Sequence, residues 1–148
     1  MIKLNKRGTA ALEFCLVAVP FFLLIFAIFD LGRYAITVQS LRALADAGAR
    51  AQMLCANTPA NVASLVKRSW PTGCAGDPLS STDKQNIAPF LYSGGLTPDA
   101  LSTTKTDASG GAAGGRVTIT AGQSGFAMIM PIWGTALNAP SVSASIPF

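Results

Sequence analysis

The segment RGTAALEFCLVAVPFFLLIFAIFDLGR, residues 7–33, is the most informative part of the sequence for the fold. Residues 14–29 contain no charged side chain, and residues 9–29 contain a single one, Glu13. A helix needs about 20 predominantly apolar residues to cross the core of a bilayer, so this segment predicts a transmembrane helix. We therefore expect a single-pass membrane protein whose span covers residues 9–30.

Charged residues on both sides of the apolar run indicate its orientation. Lys3, Lys6 and Arg7 precede the run, and Asp30 follows it. Because positive charge is retained on the cytoplasmic side, the N-terminus is expected in the cytoplasm and the remainder of the chain in the periplasm. A cleavable secretory signal ends its apolar core at a small-x-small site, and none directly follows Phe29. The segment is therefore expected to stay on the protein as an inner-membrane anchor.

The composition argues against several classes of function. Of the 148 residues, 12% are charged, whereas a typical soluble domain has roughly 25%. The chain has no histidine, which removes the commonest general base and the commonest metal ligand. Its basic residues form no stripe interleaved with aromatic residues, as a nucleic-acid-binding surface would. We expect no enzyme activity, no cofactor, no metal site and no nucleic-acid partner.

Glu13 is an unusual residue for a membrane segment. An acidic side chain there costs about 2.5–3.5 kcal/mol on insertion scales and usually has a specific partner. The simpler alternative is that Glu13 lies in the headgroup layer at the end of the span. The preceding residues favour a partner, because a basic pair and Gly8 stand before it in KRGTAALEF.

KRGTAALEF resembles the processing signal of type IV pilins and pseudopilins. In that signal a basic leader ends in Gly, and a Glu stands at the fifth position of the mature chain. The resemblance implies that a prepilin peptidase cleaves between Gly8 and Thr9, so that residues 1–8 are a cytoplasmic leader. It also implies that Glu13 acts in subunit assembly by pairing with the α-amine that cleavage frees on a neighbour's Thr9. Such pairing offsets the cost of placing either charge in lipid.

The longer stretch narrows the resemblance to the TadE-like family, the minor pseudopilins of tight-adherence (Tad, or Flp) pilus systems. The shared features are RG-AALEF, Pro20 within the apolar run, and the exit Asp30-Leu31-Gly32-Arg33. The resemblance implies a minor pseudopilin or assembly component that supports biogenesis of an adhesive pilus. It implies as partners the inner membrane, the prepilin peptidase, other pilins or pseudopilins and the assembly platform.

Three other functions stay open at this point. The first is a membrane-anchored periplasmic binding module without a pilus role, which retention of residues 1–8 would favour. The second is a pseudopilin of a type II secretion system, which the neighbouring genes would distinguish. The third is a soluble secreted protein, which membrane fractionation in carbonate would test. The residues also do not separate a TadE role from that of the related TadF.

Beyond the span, apolar side chains recur at three- and four-residue spacing, which predicts that the helix continues. One helix is expected over residues 10–54, with residues 31–56 as a stalk outside the membrane and Pro20 as a candidate kink. The stripe packs either against the protein's own domain or against neighbouring subunits. Its members are Leu31, Tyr34, Val38, Leu41, Ala45 and Ala49.

Residues 57–148 are expected to form a small exported domain, which gives a pilin-like α+β architecture overall. A short helix capped by Thr58 is predicted over residues 60–69. A second short helix is predicted to begin at the capping sequence around Ser80 and to run toward Leu91.

Three antiparallel strands are predicted in the C-terminal third. Period-two alternation marks residues 117–120 and 142–148, and a short apolar run that ends at Pro131 marks residues 126–130. Residues 77–115 are rich in Ser, Thr, Gly and Pro, and no strand is predicted there. Within them the Gly-rich sequence ASGGAAGG is expected to be a flexible loop. A phosphate-binding loop is disfavoured, because no Lys-Ser or Lys-Thr follows this sequence and no strand clearly precedes it.

The cysteines indicate one cross-link. Cys15 lies in the apolar segment and is expected to behave as a small buried hydrophobe. Cys55 and Cys74 lie downstream, with 18 residues between them. In an exported domain they can form a disulfide worth about 3 kcal/mol, and the alternative is a pair of independent reduced thiols. The predicted topology favours the disulfide.

Overall fold

The computed structural model describes residues 6–67, 69–74, 76–106, 115–130, 132 and 134–148, with side chains from Thr9 onward. Over this part of the chain, a long apolar helix is followed by short helices and a three-stranded antiparallel sheet. The predicted α+β fold class is therefore confirmed. Residues 1–5 of the proposed leader, most of the glycine-rich segment and Pro131 lie outside the described residues.

The first helix, α1, spans Lys6–Ala56 and is slightly longer than predicted. Its 51 residues correspond to about 77 Å at a rise of 1.5 Å per residue. The helix continues through Pro20, so the missing backbone N–H does not end it. Its part Thr9–Ala56 is long and apolar enough to cross a membrane, and it fits a single-pass anchor.

The second helix, α2 (Val62–Val66), is shorter than predicted, and Thr58 does not cap it. The N-cap residue is Asn61, and neither the Asn61 side chain nor the Thr58 side chain accepts a hydrogen bond from the first amides of α2. Both side chains instead donate to the Cys55 carbonyl, the hydroxyl at 3.0 Å and the amide at 2.9 Å. The carbonyls in the last turn of a helix lack helical partners, which explains why this acceptor attracts both donors.

The third helix, α3 (Ser81–Ile87), begins where the capping sequence predicts. The N–H of Asp83 donates to the Ser80 hydroxyl at 3.2 Å, and the N–H of Ser80 donates to the Asp83 carboxylate at 3.3 Å, which makes a capping box. The helix stops short of Leu91 because the residue before Pro89 is disfavoured in the helical conformation. A 3-10 segment, Pro89–Gly95, follows.

Three strands of the described residues form one antiparallel sheet, in the order β1 (Ser102–Thr106), β2 (Arg116–Gly122) and β3 (Ser141–Pro147). The two alternating segments predicted from the sequence are β2 and β3. Their register sets Val117 opposite Ile146 and Ile119 opposite Ala144, so that apolar side chains share one face.

The predicted strand over residues 126–130 is wrong. This segment is a loop, and its amides at Ile129 and Met130 donate to the side chain of Asp30 instead of to a neighbouring strand. The third strand is β1, whose β-branched threonines favour a strand but whose side chains are polar on both faces. Without apolar alternation, periodicity does not reveal it.

The core lies between the outer half of α1 and the sheet. Leu41 and Leu44 are 0% exposed and share a cluster with Val117 and Ile119. A Cβ on Gly48 would lie 2.9 Å from Leu101 Cδ1, so the helix and the domain approach closely at this position. The outer part of the predicted stripe therefore packs on the protein's own sheet. The remaining buried members are Ala45, Ala56, Trp70, Cys74, Ala88, Leu91, Leu101, Ala121 and Ile146.

Candidate assembly helix and its membrane exit

The predicted processing position lies near the start of α1. Gly8 and Thr9 both have helical backbone, and Thr9 is exposed. Cleavage between them would make Thr9 the first residue of the helix. Its new α-amine would add a positive charge where the helix dipole is already positive and where several amides lack partners. An anionic group near this end would therefore be stabilising.

Glu13 lies one helical turn beyond Thr9, on the same face of α1. Its side chain is exposed, and so are those of its neighbours Leu16 and Val17. Among the described side chains, none of the ion pairs involves Glu13. The helix thus presents one carboxylate on an apolar surface, where a cation of a second molecule can reach it.

A second carboxylate, Asp30, is buried at the other end of the span, with 2% of its surface exposed. One oxygen, Oδ2, accepts the N–H groups of Ile129 and Met130, both at 3.0 Å, and Oδ1 accepts that of Ile129 at 3.2 Å. Arg33 Nη1 lies 3.6 Å from Oδ1. Hydrogen bonds and a nearby cation compensate a carboxylate for its removal from water. Asp30 therefore fastens this loop to α1 where the helix leaves the apolar span.

Aromatic packing holds the same loop from its other end. The Arg33 guanidinium lies 5.5 Å from the centroid of the Phe126 ring, and the Tyr34 ring lies 6.3 Å from it. From the sequence, Asp30 indicated the orientation of the span, and Asp30 and Arg33 both contributed to the family resemblance. Their role in holding this loop against α1 was not predicted. Their spacing of three residues was a signal for an ion pair. The amide partners, however, stand 99 and 100 positions further on and carry no residue signature.

A disulfide joins Cys55 at the end of α1 to Cys74, with the two Cα atoms 5.9 Å apart. Neighbouring groups hold the cross-linked segment as well. The Asn61 amide donates to the Cys55 carbonyl at 2.9 Å, and the Trp70 indole donates to the Cys74 carbonyl at 3.5 Å. The Trp70 ring packs against Phe148 at a centroid distance of 5.2 Å. The last residue of the chain therefore packs beside this cross-link.

The expectation that Cys15 is buried is wrong for the chain by itself, because Cys15 is exposed. No part of the most apolar window of α1, a stretch of 18 residues, is buried within the described chain. The side chains of this window, including Phe14 and Leu24, are left to meet lipid or other helices.

The described residues form ion pairs and packing contacts. Among them, no group of three or more Cys, Asp or Glu side chains is placed to hold a metal ion. A cleft of about 410 Å³ beside Arg33, Phe90 and Gln123 contains one serine, Ser93. The Ser93 hydroxyl donates to the Phe90 carbonyl at 2.7 Å, and none of the described residues that line the cleft is a base that could activate it.

This is an α+β protein whose long apolar helix fits a single-pass membrane anchor and carries an acidic residue, and whose domain packs on the continuation of the same helix. Residues 8–50 match the model of the TadE-like protein family, so the resemblance drawn from the sequence is confirmed for this segment. The match includes Glu13, Asp30 and the core leucines of the stalk. A search of curated proteins and a search of solved structures each found no match.

Proposed function

We propose that this protein is a minor pseudopilin or assembly component of a Tad (type IVc, Flp) pilus that supports pilus biogenesis and surface adhesion. The observation that carries the proposal is the TadE-like match over residues 8–50, which coincides with an exposed apolar helix that bears Glu13. The protein spans the inner membrane once, with its N-terminus in the cytoplasm and its domain in the periplasm.

The proposal divides the chain into four parts. Residues 1–8 are the leader, 9–30 the membrane span, 31–56 the stalk and 57–148 the exported domain. The basic leader holds the N-terminus on the cytoplasmic side, because moving its charges into lipid is costly. A prepilin peptidase removes this leader between Gly8 and Thr9, after which the helix is free to shift along its axis into an assembly.

Glu13 then sets the axial position of the helix relative to the helix of a neighbouring subunit. Its carboxylate pairs with the α-amine of the neighbour's Thr9, and each charge lowers the cost of keeping the other in the membrane. Thr9 and Glu13 are four residues apart, so the pair offsets adjacent helices by about 6 Å along the axis. Other pilins or pseudopilins and the assembly platform are the partners in this step.

The first test is the mass of the mature N-terminus in cells with and without a Tad-type prepilin peptidase. A peptidase-dependent start at Thr9 supports the proposal. An intact start at Met1 contradicts it and favours a membrane-anchored periplasmic binding module. Gly8→Leu is expected to block cleavage because it adds a side chain at the cut, whereas Gly32→Leu in the same helix is expected to leave cleavage unchanged.

Processing at Thr9 does not separate a Tad component from a type II secretion pseudopilin, because both carry the same kind of signal. Deletion of the gene separates them. Loss of surface pili with normal protein secretion supports the Tad assignment, and loss of secretion with normal pili favours the alternative.

A further inference from the structure

An exposed isoleucine, Ile129, lies beside the point where α1 leaves its apolar span, and a second exposed isoleucine, Ile132, follows three residues later. The side chain of Ile129 is 74% exposed and that of Ile132 is 62% exposed. The N–H of Ile129 donates to Asp30 at 3.0 Å, which fixes this residue at the level of Asp30 along α1. Asp30 directly follows the apolar run. The exposed apolar surface of the span therefore continues onto the domain.

The length of the span places Ile129 at the edge of the hydrocarbon. Residues 9–29 extend about 31 Å along a helix, and the hydrocarbon core of a bilayer is about 30 Å thick. If Thr9 lies at one edge of the core, Phe29 lies at the other. The N–H of Ile129 is hydrogen-bonded to Asp30, the residue after Phe29, so Ile129 lies at that second edge.

A cleft between helix and loop has the lining expected at this depth. It has a volume of about 280 Å³ and is lined by Phe26, Phe29, Ile129 and Met130 together with Asp30 and Arg33. The charge of Asp30 is internally compensated. The Arg33 side chain is 38% exposed, and Arg33 lies four residues beyond Phe29, about 6 Å further along the helix. Apolar side chains beside a cation are typical of surfaces buried about 5–10 Å into the headgroup and acyl boundary.

We propose that Ile129 and Ile132 insert into the face of the bilayer on which the domain lies, so that the domain contacts the membrane that α1 crosses. The occupant of this surface is lipid and not a second protein. The inference rests on the membrane span alone and does not depend on a pilus role. With the loop fastened to Asp30, this contact fixes the orientation of the domain relative to the membrane.

The test uses the full-length protein in vesicles of phosphatidylethanolamine and phosphatidylglycerol. In a Cys15→Ala background with the Cys55–Cys74 disulfide kept oxidised, Ile129→Cys carries an environment-sensitive fluorophore. Val66→Cys is the matched control, because Val66 is 80% exposed and α1 extends about 39 Å from Asp30 before α2 begins. Lipids with a nitroxide near the headgroup are expected to quench position 129 at least about twofold more than position 66.

Equal quenching at the two positions overturns the proposal. A blue-shifted emission at position 129 that rises with protein density and is not quenched by nitroxide lipid also overturns it, because a second copy then covers the surface. Ile132→Ser in the labelled protein is expected to reduce quenching at position 129. If Ile129→Cys abolishes slow amide exchange in β2, the substitution has disrupted the fold. The label is then placed at the exposed Ala127, and the same quenching results support or overturn the proposal.

Discussion

At the scale of single residues, two carboxylates at opposite ends of the apolar span of α1 have opposite environments. Glu13 is exposed on an apolar helix, whereas Asp30 is buried and bonded to two backbone amides. A buried charge whose hydrogen-bond partners lie within the fold contributes to the stability of that fold. A charge that the fold leaves exposed in an apolar surface is available to a partner. We therefore expect their substitution to have different consequences.

Glu13→Ala is expected to leave membrane insertion and processing intact and to reduce piliation strongly. Removing an acidic residue from the span lowers the cost of insertion by about 2.5–3.5 kcal/mol, but it also removes the partner for the neighbouring α-amine. Membrane fractionation, N-terminal mass and counts of surface pili measure the three steps. Asp46→Ala, which removes an exposed carboxylate of the stalk, is the control. Normal piliation in Glu13→Ala would contradict the pairing.

Asp30→Asn is expected to loosen the loop over residues 126–130. The substitution keeps the shape of the side chain but removes the charge and one acceptor, which lowers the free energy of opening this loop by about 1–3 kcal/mol. Each step of about 1.4 kcal/mol corresponds to a tenfold change in an equilibrium constant, so amide hydrogen exchange at Ile129 and Met130 should be about 5- to 150-fold faster. Asp46→Asn is the matched control and should leave both rates unchanged. Unchanged exchange in Asp30→Asn would show that the carboxylate does not hold the loop.

At the scale of elements, α1 has two halves with different neighbours. The half within the span has no cover from the described chain, whereas the outer half contributes Leu41 and Leu44 to the core. The change happens near Asp30 and Thr37, which are both buried. One continuous helix thus combines an apolar span long enough to cross a membrane with a layer of the domain.

Gly48→Leu is expected to destabilise the contact between α1 and the sheet. A Cβ at this position would lie 2.9 Å from Leu101 Cδ1 and 3.2 Å from Ile119 Cγ2, and overpacking of this kind costs about 1–3 kcal/mol. The free energy of unfolding, measured by urea titration with limited proteolysis, should fall by that amount. Gly32→Leu is the control, since nothing lies within 4 Å of its added Cβ. Equal effects of the two substitutions would contradict close packing at Gly48.

The cross-link between Cys55 and Cys74 is expected to be present in the exported protein. Non-reducing peptide mass mapping should find the two cysteines in one linked species and Cys15 as a free thiol. Because the bond closes a loop across 19 positions, Cys74→Ala should lower the free energy of unfolding by about 3 kcal/mol. Cys15→Ala, outside the domain, serves as the control. Free thiols at both Cys55 and Cys74 in membrane-inserted protein would contradict the prediction.

At the scale of the whole molecule, the stalk and the domain share one core. The buried residues Val117 and Ile119 of β2 belong to the same cluster as Leu41 and Leu44 of α1. Burial of each large apolar side chain contributes about 1.5–3 kcal/mol. A domain of this size does not tolerate the loss of several such contacts.

A fragment that begins at Asp30 is therefore expected to fold without the span, whereas a fragment that begins at Asn57 is not. The longer fragment retains both the Asp30 contacts and the helix that covers the sheet. Slow amide exchange in β2 and a cooperative urea transition measure folding in both. A cooperative transition in the shorter fragment would contradict a shared core, and failure of the longer fragment would show that the membrane span is needed for folding.

The sequence by itself determined the features that depend on local patterns. Apolar length and periodicity identified α1, residue types at a helix start identified the Ser80 cap, and alternation identified β2 and β3. The resemblance around Gly8 and Glu13 indicated the family, because the features that carry it are contiguous in the chain. These signals need no knowledge of how distant segments meet.

Three features could not be predicted without the tertiary structure: the groups that satisfy Asp30, the surface on which the stalk stripe packs, and the position of β1. The apolar run over residues 126–130 has the composition of a strand, but its amides are bound by a carboxylate about a hundred positions earlier. β1 gains its hydrogen bonds from β2, although its own threonines and lysine show no apolar face. A backbone amide is nearly the same in every residue, so its partner is set by the three-dimensional approach of distant segments.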